Sequence, residues 1–186
     1  MKKSYLKSIY KFDKNRDTYV LEISIDTYQE LFNEWDASPI RKKDIDPDLA
    51  AYLQQVGIDI PLREDIDICF IIPKEQKDEV LEVKAQKAFT NYYNGNIHFI
   101  NRTLRSNFRK TLMYLVLGFS FIALAYVLTN YPVTLSFDII KEGLFIGGWV
   151  FLWEAISLFF FVSGDMRKQK RQYKRFASTI IHFVYL

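Results

Sequence analysis

Glu154 is the only ionisable residue in Gly143-Leu-Phe-Ile-Gly-Gly-Trp-Val-Phe-Leu-Trp-Glu-Ala-Ile-Ser-Leu-Phe-Phe-Phe-Val162, an apolar run long enough to cross a bilayer as a helix. A charged carboxylate near the middle of such a helix costs about 3 kcal/mol, so it calls for a partner, a proton or water. At 100° per residue, Gly143, Gly147 and Glu154 fall within about 40° of one another. Gly143 and Gly147 form a GxxxG pair, which lets a second helix approach closely. Two chemistries fit. Second spans of an oligomer could line a path, with a ring of Glu154 attracting cations. Alternatively, desolvation keeps the carboxyl protonated and bonded to a neighbouring helix. Glu154, Ser120 and Ser157 are the candidate intramembrane polar residues, and residue counting puts Ser120 level with Glu154 as a partner.

Other groups offer weaker chemistry. Asp44-Ile-Asp-Pro-Asp48 looks like the start of a calcium loop, but Leu49 stands where glycine is needed and Gln55 where glutamate is needed. Helix capping accounts for Asp46 and Asp48. Asp65 and Asp67 share one face of a predicted strand and read as solvent-facing side chains rather than an acid–base pair. His98 and His182 have no sequence neighbours that would complete a metal site or triad. The single cysteine, Cys69, lies in an apolar run and reads as a buried thiol; alone it excludes a disulfide framework and a cysteine-rich zinc site. With no phosphate loop, dinucleotide fingerprint, nucleophile elbow or metal-binding helix motif, the expectation is a non-enzyme without cofactor.

The average composition, 49% hydrophobic with a net charge of +3, conceals two unlike parts. Residues up to about 110 are polar and charged. Thr111–Leu128 then carries no charge and, at 1.5 Å per residue, spans about 27 Å. Thr111, Gly118 and Ala125 recur every seven residues as a small-residue stripe. Asn130-Tyr-Pro132 breaks this helix, and a short loop is expected to run to Glu142. Arg102, Arg105, Arg109 and Lys110 precede the first span, and Arg167, Lys168, Lys170, Arg171, Lys174 and Arg175 follow the second. The connecting loop has only Lys141 against Asp138 and Glu142. The positive-inside rule therefore predicts a multi-pass protein with both termini cytoplasmic and the connecting loop outside. The basic clusters suit anionic headgroups better than a nucleic-acid duplex. No apolar core follows Met1-Lys-Lys, so no secretory signal is read there.

The elements that must position these residues follow from periodicity. Ser4–Phe12 and Thr18–Ile25 read as strands of an antiparallel hairpin around Asp13–Asp17. Asp26, with Gln29, predicts a capped helix from Thr27 to about Trp35. Asp46-Pro47 starts another helix, with Gly57 at its exit and Leu49, Tyr52, Leu53 and Val56 as its buried stripe. Asp65–Ile72 is a strand ended by Pro73. A helix runs from Lys74 to about Tyr93, Asn94-Gly95-Asn96 interrupts or kinks it, and an amphipathic stalk follows. The β-branched and aromatic Ser178–Leu186 segment predicts a strand returning to the N-terminal sheet.

Phe32-Asn-Glu-Trp-Asp-Ala-Ser-Pro39, Asp44-Ile-Asp-Pro-Asp-Leu49 and Glu142-Gly-Leu-Phe-Ile-Gly-Gly-Trp-Val-Phe-Leu-Trp-Glu-Ala155 resemble a family of small two-span bacterial membrane proteins. The layout is also similar to membrane effectors of bacterial anti-phage systems, Hailong-type channel effectors among them. That resemblance implies a cytosolic domain gating an oligomeric pore in response to a nucleotide or oligonucleotide signal from a partner enzyme; it carries no ligand-binding residues across. The expected fold is an α+β cytosolic domain, with a sheet of about four strands and flanking helices, plus a two-helix transmembrane hairpin. Its parts are 1–94 (cytosolic domain), 95–110 (stalk), 111–162 (hairpin, spans 111–128 and 143–162) and 163–186 (basic segment and returning strand). The expected function is a homo-oligomeric, tetramer-like, gated ion channel in the lipid bilayer of a bacterial inner membrane. Glu154, Ser120 and Ser157 would lie in the pore, Gly143, Gly147, Gly118 and Ala125 at helix contacts, and Arg102, Arg105, Arg109, Lys110, Arg167 and Lys168 at the gating flanks. The alternative is a membrane-tethered binding or scaffold module without conduction.

Overall fold

The computed structural model describes residues 2–129 and 135–186. The chain forms two compact units, one from residues 1–98 with 169–186 and the other from 99–168.

In the first unit α1 (Lys2–Ile9) leads into β1 (Lys11–Asp13) and β2 (Thr18–Ser24), which pair antiparallel. The helix replaces most of the strand expected over Ser4–Phe12. Leu6 is buried in the core, while Tyr5 and Ile9 remain exposed, so a single helical anchor outweighs the apparent alternation. At the turn, Asp13 Oδ1 accepts from the Asn15 amide at 2.8 Å, and Asp17 takes a positive φ of 52°, which aspartate tolerates better than most residues.

The helix expected over Thr27–Trp35 shrinks to a 3-10 turn at Tyr28–Leu31. Its capping box uses Thr27 and Glu30, not Asp26 and Gln29. Leu31 and Phe32 are drawn into the core, and Phe32 bridges to Ile45. This pulls the chain out of helix before Trp35. The helix α2 (Pro47–Asp59) has its predicted cap: Asp46 Oδ1 accepts from the Asp48 and Leu49 amides at 2.9 and 3.0 Å. Two details differ. Gly57 lies within the helix rather than at its exit, and Tyr52 is exposed while Leu53 and Val56 are buried.

The strand β3 (Asp65–Ile72) runs parallel to β2. After a 3-10 turn at Lys74–Gln76, α3 runs unbroken from Glu79 to Leu128. Asn94-Gly95-Asn96 therefore does not interrupt the helix. Asn96 Nδ2 donates to the Tyr92 carbonyl one turn back at 2.9 Å, so its side chain is accommodated along the helix. The helix α4 (Leu135–Ser157) already includes residues 135–142, where a loop was expected; Asn130-Tyr-Pro132 lies outside the described residues. A π-helical turn (Leu158–Val162) leads into α5 (Ser163–Ser178), and β4 (Ile181–Tyr185) completes the sheet beside β3, parallel to it. The sheet is thus mixed and four-stranded, in the order β1-β2-β3-β4.

One face of the sheet holds the core. Tyr19, Leu21, Ile66, Ile68, Phe70, Ile72 and Ile181 meet Leu53, Val56, Ala88, Phe89 and Phe176 from the helices. Phe70 stacks on Phe183 with ring centroids 5.5 Å apart and tilts against Phe89 at 5.6 Å.

Candidate functional site

Small residues set how α3 and α4 approach in the second unit. A Cβ built on Gly118 would stand 2.8 Å from Leu152 Cδ2 and 3.1 Å from the Gly148 carbonyl oxygen. One built on Gly148 would stand 2.6 Å from Ile122 Cγ1 and 3.0 Å from the Gly118 carbonyl oxygen. Backbones this close leave no room for a side chain. Tyr114 and Phe151 stack at 6.1 Å, and Asn107 Nδ2 reaches Met166 Sδ at 3.6 Å, so residue numbers fall on one helix as they rise on the other. The two helices are antiparallel.

The stripe Thr111, Gly118 and Ala125 is buried, and Gly148, Ala155 and Ser163 are buried on the returning chain. Gly148 to Ala155 is a heptad step. The step to Ser163 is one residue longer, and the π turn absorbs it, with Ser163 Oγ donating to the Leu158 carbonyl at 2.8 Å. Val162, the heptad position, is exposed instead. Turns of this kind often occur at functional sites.

Glu154 lies away from this seam. At 100° per residue it is about 120° from Gly148 around α4. It is exposed, and it makes no hydrogen bond or ion pair among the described residues. Ser120, expected as its partner, does not bond to it. Gly118 sits opposite Gly148 and Leu152, so in an antiparallel pair Ser120 lies one to two turns from the level of Glu154. Ser157 is half-buried. Gly143, on the Glu154 side, has no atom within 4 Å of a built Cβ, whereas Gly147 meets Phe121 at 3.2 Å.

Arg102, Arg105, Arg109 and Lys110 on α3, and Arg167 and Lys168 on α5, are all exposed, and none forms an ion pair among the described residues. Arg167 lies 5.1 Å from the Phe159 ring centroid. On α4, Lys141 Nζ binds Asp138 Oδ1 at 2.9 Å. A belt of exposed side chains separates these charges, including Val116, Phe119, Leu124, Phe145, Trp149, Trp153 and Phe160.

No family model matches the chain, and neither does any curated protein or solved structure.

The first unit carries a second polar centre. Asp67, expected to face solvent, is only 4% exposed. Its Oδ2 lies 2.8 Å from Arg16 Nη1, a charge contact without the alignment of a directed hydrogen bond. Burial raises the Asp67 carboxyl above its ordinary range, and Arg16 and His182 oppose that shift. Cys69 is buried as expected, and desolvation raises its thiol. Asp65 stays exposed, so the two carboxylates do not share an environment.

Beside them, Arg175 reaches the end of α2. Its Nη2 donates to the Gly57 carbonyl at 2.7 Å, and its Nη1 to the Ile60 and Pro61 carbonyls at 3.1 and 3.0 Å. Gln172 Nε2 adds a bond to Gly57 at 3.2 Å. These donors satisfy carbonyls that a helix end leaves without partners. The sequence reading counted Arg175 only as a flanking charge. It also missed Gly148, whose signal was present as the second glycine of Gly147-Gly148. The π turn had no signal.

Proposed function

We propose that the chain is a membrane protein with two spans and both termini in the cytoplasm. It assembles with copies of itself, and its Glu154 faces line a cation path. One observation carries this reading. The hairpin buries its Gly118–Gly148 seam and leaves Glu154 on a separate face, beside the open surface at Gly143. A carboxylate in that position needs company from another chain, water or a proton. Two helices cannot enclose a path, so conduction requires several subunits.

The bilayer itself is supported by exposure. Only 17% of the apolar window in the first long helix and 11% of that in the second are buried within the chain. A core helix of a soluble protein is buried far more completely, and an apolar belt of this size is unstable against water. The unpaired cations beyond the belt, against a neutralised Lys141 on α4, fit cytoplasmic ends.

Gating through the cytosolic unit is a reading supported by the continuity of α3. One uninterrupted helix supplies Ala85, Ala88, Phe89 and Tyr93 to the core of the first unit and Thr111, Gly118 and Ala125 to the seam of the second. On this reading the chain is an effector whose cytosolic domain receives a signal, and the anti-phage role is proposed on the resemblance of layout alone.

Liposome flux tests the reading. Purified protein should conduct monovalent cations, and Glu154→Gln should lower the flux at least tenfold without changing the detergent-solubilised mass. Unchanged flux and unchanged growth toxicity in Glu154→Gln would remove Glu154 from the path and leave a tethered module without conduction.

A further inference from the structure

Thr18 opens β2, Asp65 opens β3 and Ile180 directly precedes β4. These strands run parallel, so the three residues gather at one end of the sheet. Thr18 is in register with Asp65, and the Ile68 amide donates to the Ile180 carbonyl at 2.9 Å. Arg16 reaches this end from the turn before β2, and Arg175 reaches it from α5. Between them lies a cavity of about 240 Å³. One water needs only about 15 Å³, so the space admits something larger.

Its walls carry polar groups that the fold leaves without partners. Thr18 and Asp67 are 3% and 4% exposed. Thr18 Oγ1, Asp67 Oδ2 and Arg175 Nε are all buried, and none has a hydrogen-bond partner among the described residues. Such groups are nearly always paired in folded proteins, so three of them around one cavity call for a ligand. Arg175 is held in place by its Nη bonds to the carbonyls at the end of α2, which leaves its Nε–H unanswered. Ser178 Oγ and Thr179 Oγ1 donate to the Arg175 carbonyl at 3.0 and 2.9 Å, and their oxygens remain free to accept. Arg16, whose side chain is 43% exposed, forms a wall open to solvent and gives a small molecule a way in.

The charges narrow the ligand. Arg16 and Arg175 face Asp65 and Asp67, so the lining is neutral in sum but not in its parts. A simple anion meets the two carboxylates, a simple cation meets the two guanidiniums, and each suffers like-charge repulsion. A molecule with one charge of each sign escapes both. The unpartnered set asks for the same thing: an acceptor for Arg175 Nε–H, a donor for Asp67 Oδ2, and either for the Thr18 hydroxyl. Ile66 and Ile180 add a small apolar wall.

We propose that this cavity binds a small zwitterion, a free α-amino acid with a short side chain. Its carboxylate takes the Arg175 Nε–H and the Arg16 guanidinium. Its ammonium takes Asp67 Oδ2 and the neighbouring hydroxyl oxygens, and its side chain lies against Ile66 and Ile180. The site lies wholly within the first unit, so binding depends neither on an oligomer nor on Glu154.

Equilibrium dialysis of the full chain in detergent against labelled glycine, L-alanine and L-serine tests it. At least one of them should bind saturably, approaching one molecule per chain. Unlabelled acetate, methylammonium or inorganic phosphate, each at the concentration of the bound amino acid, should leave that binding in place. Asp67→Asn and Thr18→Val should each weaken it about tenfold or more, through loss of a hydrogen bond to the ammonium. Thr18→Val removes an unpartnered hydroxyl at nearly constant shape, so this variant should fold even if Asp67→Asn does not. No saturable binding of any of the three would mean that the cavity holds solvent only, and would overturn the proposal. So would displacement by phosphate or acetate, which would make it an anion site, or undiminished binding in Thr18→Val.

Discussion

Asp67 and Arg175 show how much one buried charge can govern. Asp67 sits on β3 with its carboxyl raised from the ordinary 3.8 by desolvation. Below that value both folded and unfolded chains hold the proton. Between it and the raised folded value the folded chain binds more protons, so stability falls as pH rises through this window and levels off above it. Asp67→Asn abolishes the titration. Its stability relative to wild type should therefore improve as pH rises from below 3.8 to neutrality, measured by denaturant unfolding at each pH. Parallel curves for the two proteins would mean that Asp67 is not desolvated in the fold. Arg175 acts differently, by giving its guanidinium donors to the carbonyls at the end of α2. Arg175→Met should destabilise the first unit by about 2–4 kcal/mol, read as a lower denaturant midpoint. Arg175→Lys should recover only a small part of this, because one ammonium cannot reproduce the fork.

Among elements, the apolar helices carry two faces with different surroundings. The seam face is closed inside one chain, as the contacts around Gly118 and Gly148 require. Gly148→Ile should therefore force α3 and α4 apart and lower the thermal midpoint of the detergent-solubilised protein. Gly143→Ile meets open space within one chain, so it should leave that midpoint in place. If the Glu154 face joins copies, it should also reduce the oligomeric mass. Equal effects of the two substitutions on both measurements would contradict the division into faces. The heptad of Thr111, Gly118 and Ala125 was legible because helical periodicity puts residues seven apart on one side. Its partner stripe was not. The π turn at Leu158–Val162 shifts the phase by one residue and buries Ser163 where periodicity points to Val162.

At the scale of the molecule, the sheet depends on the chain's last strand. The chain leaves β3 at Ile72 and comes back at Ile181. Ile68 donates to the Ile180 carbonyl at 2.9 Å, Leu186 donates to the Ile72 carbonyl at 3.2 Å, and Phe183 stacks on Phe70. The first unit therefore cannot finish its core until the apolar helices have been made. A chain ending after Ser178 should lose the protease-resistant core of the first unit, because β3 becomes an unpaired apolar edge. Limited proteolysis of full-length and shortened protein checks this, and an equally resistant core in both would show β4 to be dispensable.

The sequence alone determined what depends on near neighbours along the chain. The apolar runs, the strand at Asp65–Ile72, the Asp46-Pro47 helix start and the β-branched tail are all local patterns, and helical or strand periodicity expresses them directly. Even the return of β4 was legible, since a segment of that composition needs a sheet to join. Tertiary structure decided what depends on distant partners. Burial of Leu6 made α1 a helix, and the pull of Leu31 and Phe32 into the core cut the next helix to one turn. No local feature separated Gly148 from Gly143, because a glycine's role depends on which backbone passes beside it. Glu154 was identifiable from its run of apolar neighbours. Its place outside the seam was fixed only when Gly118 and Gly148 came together.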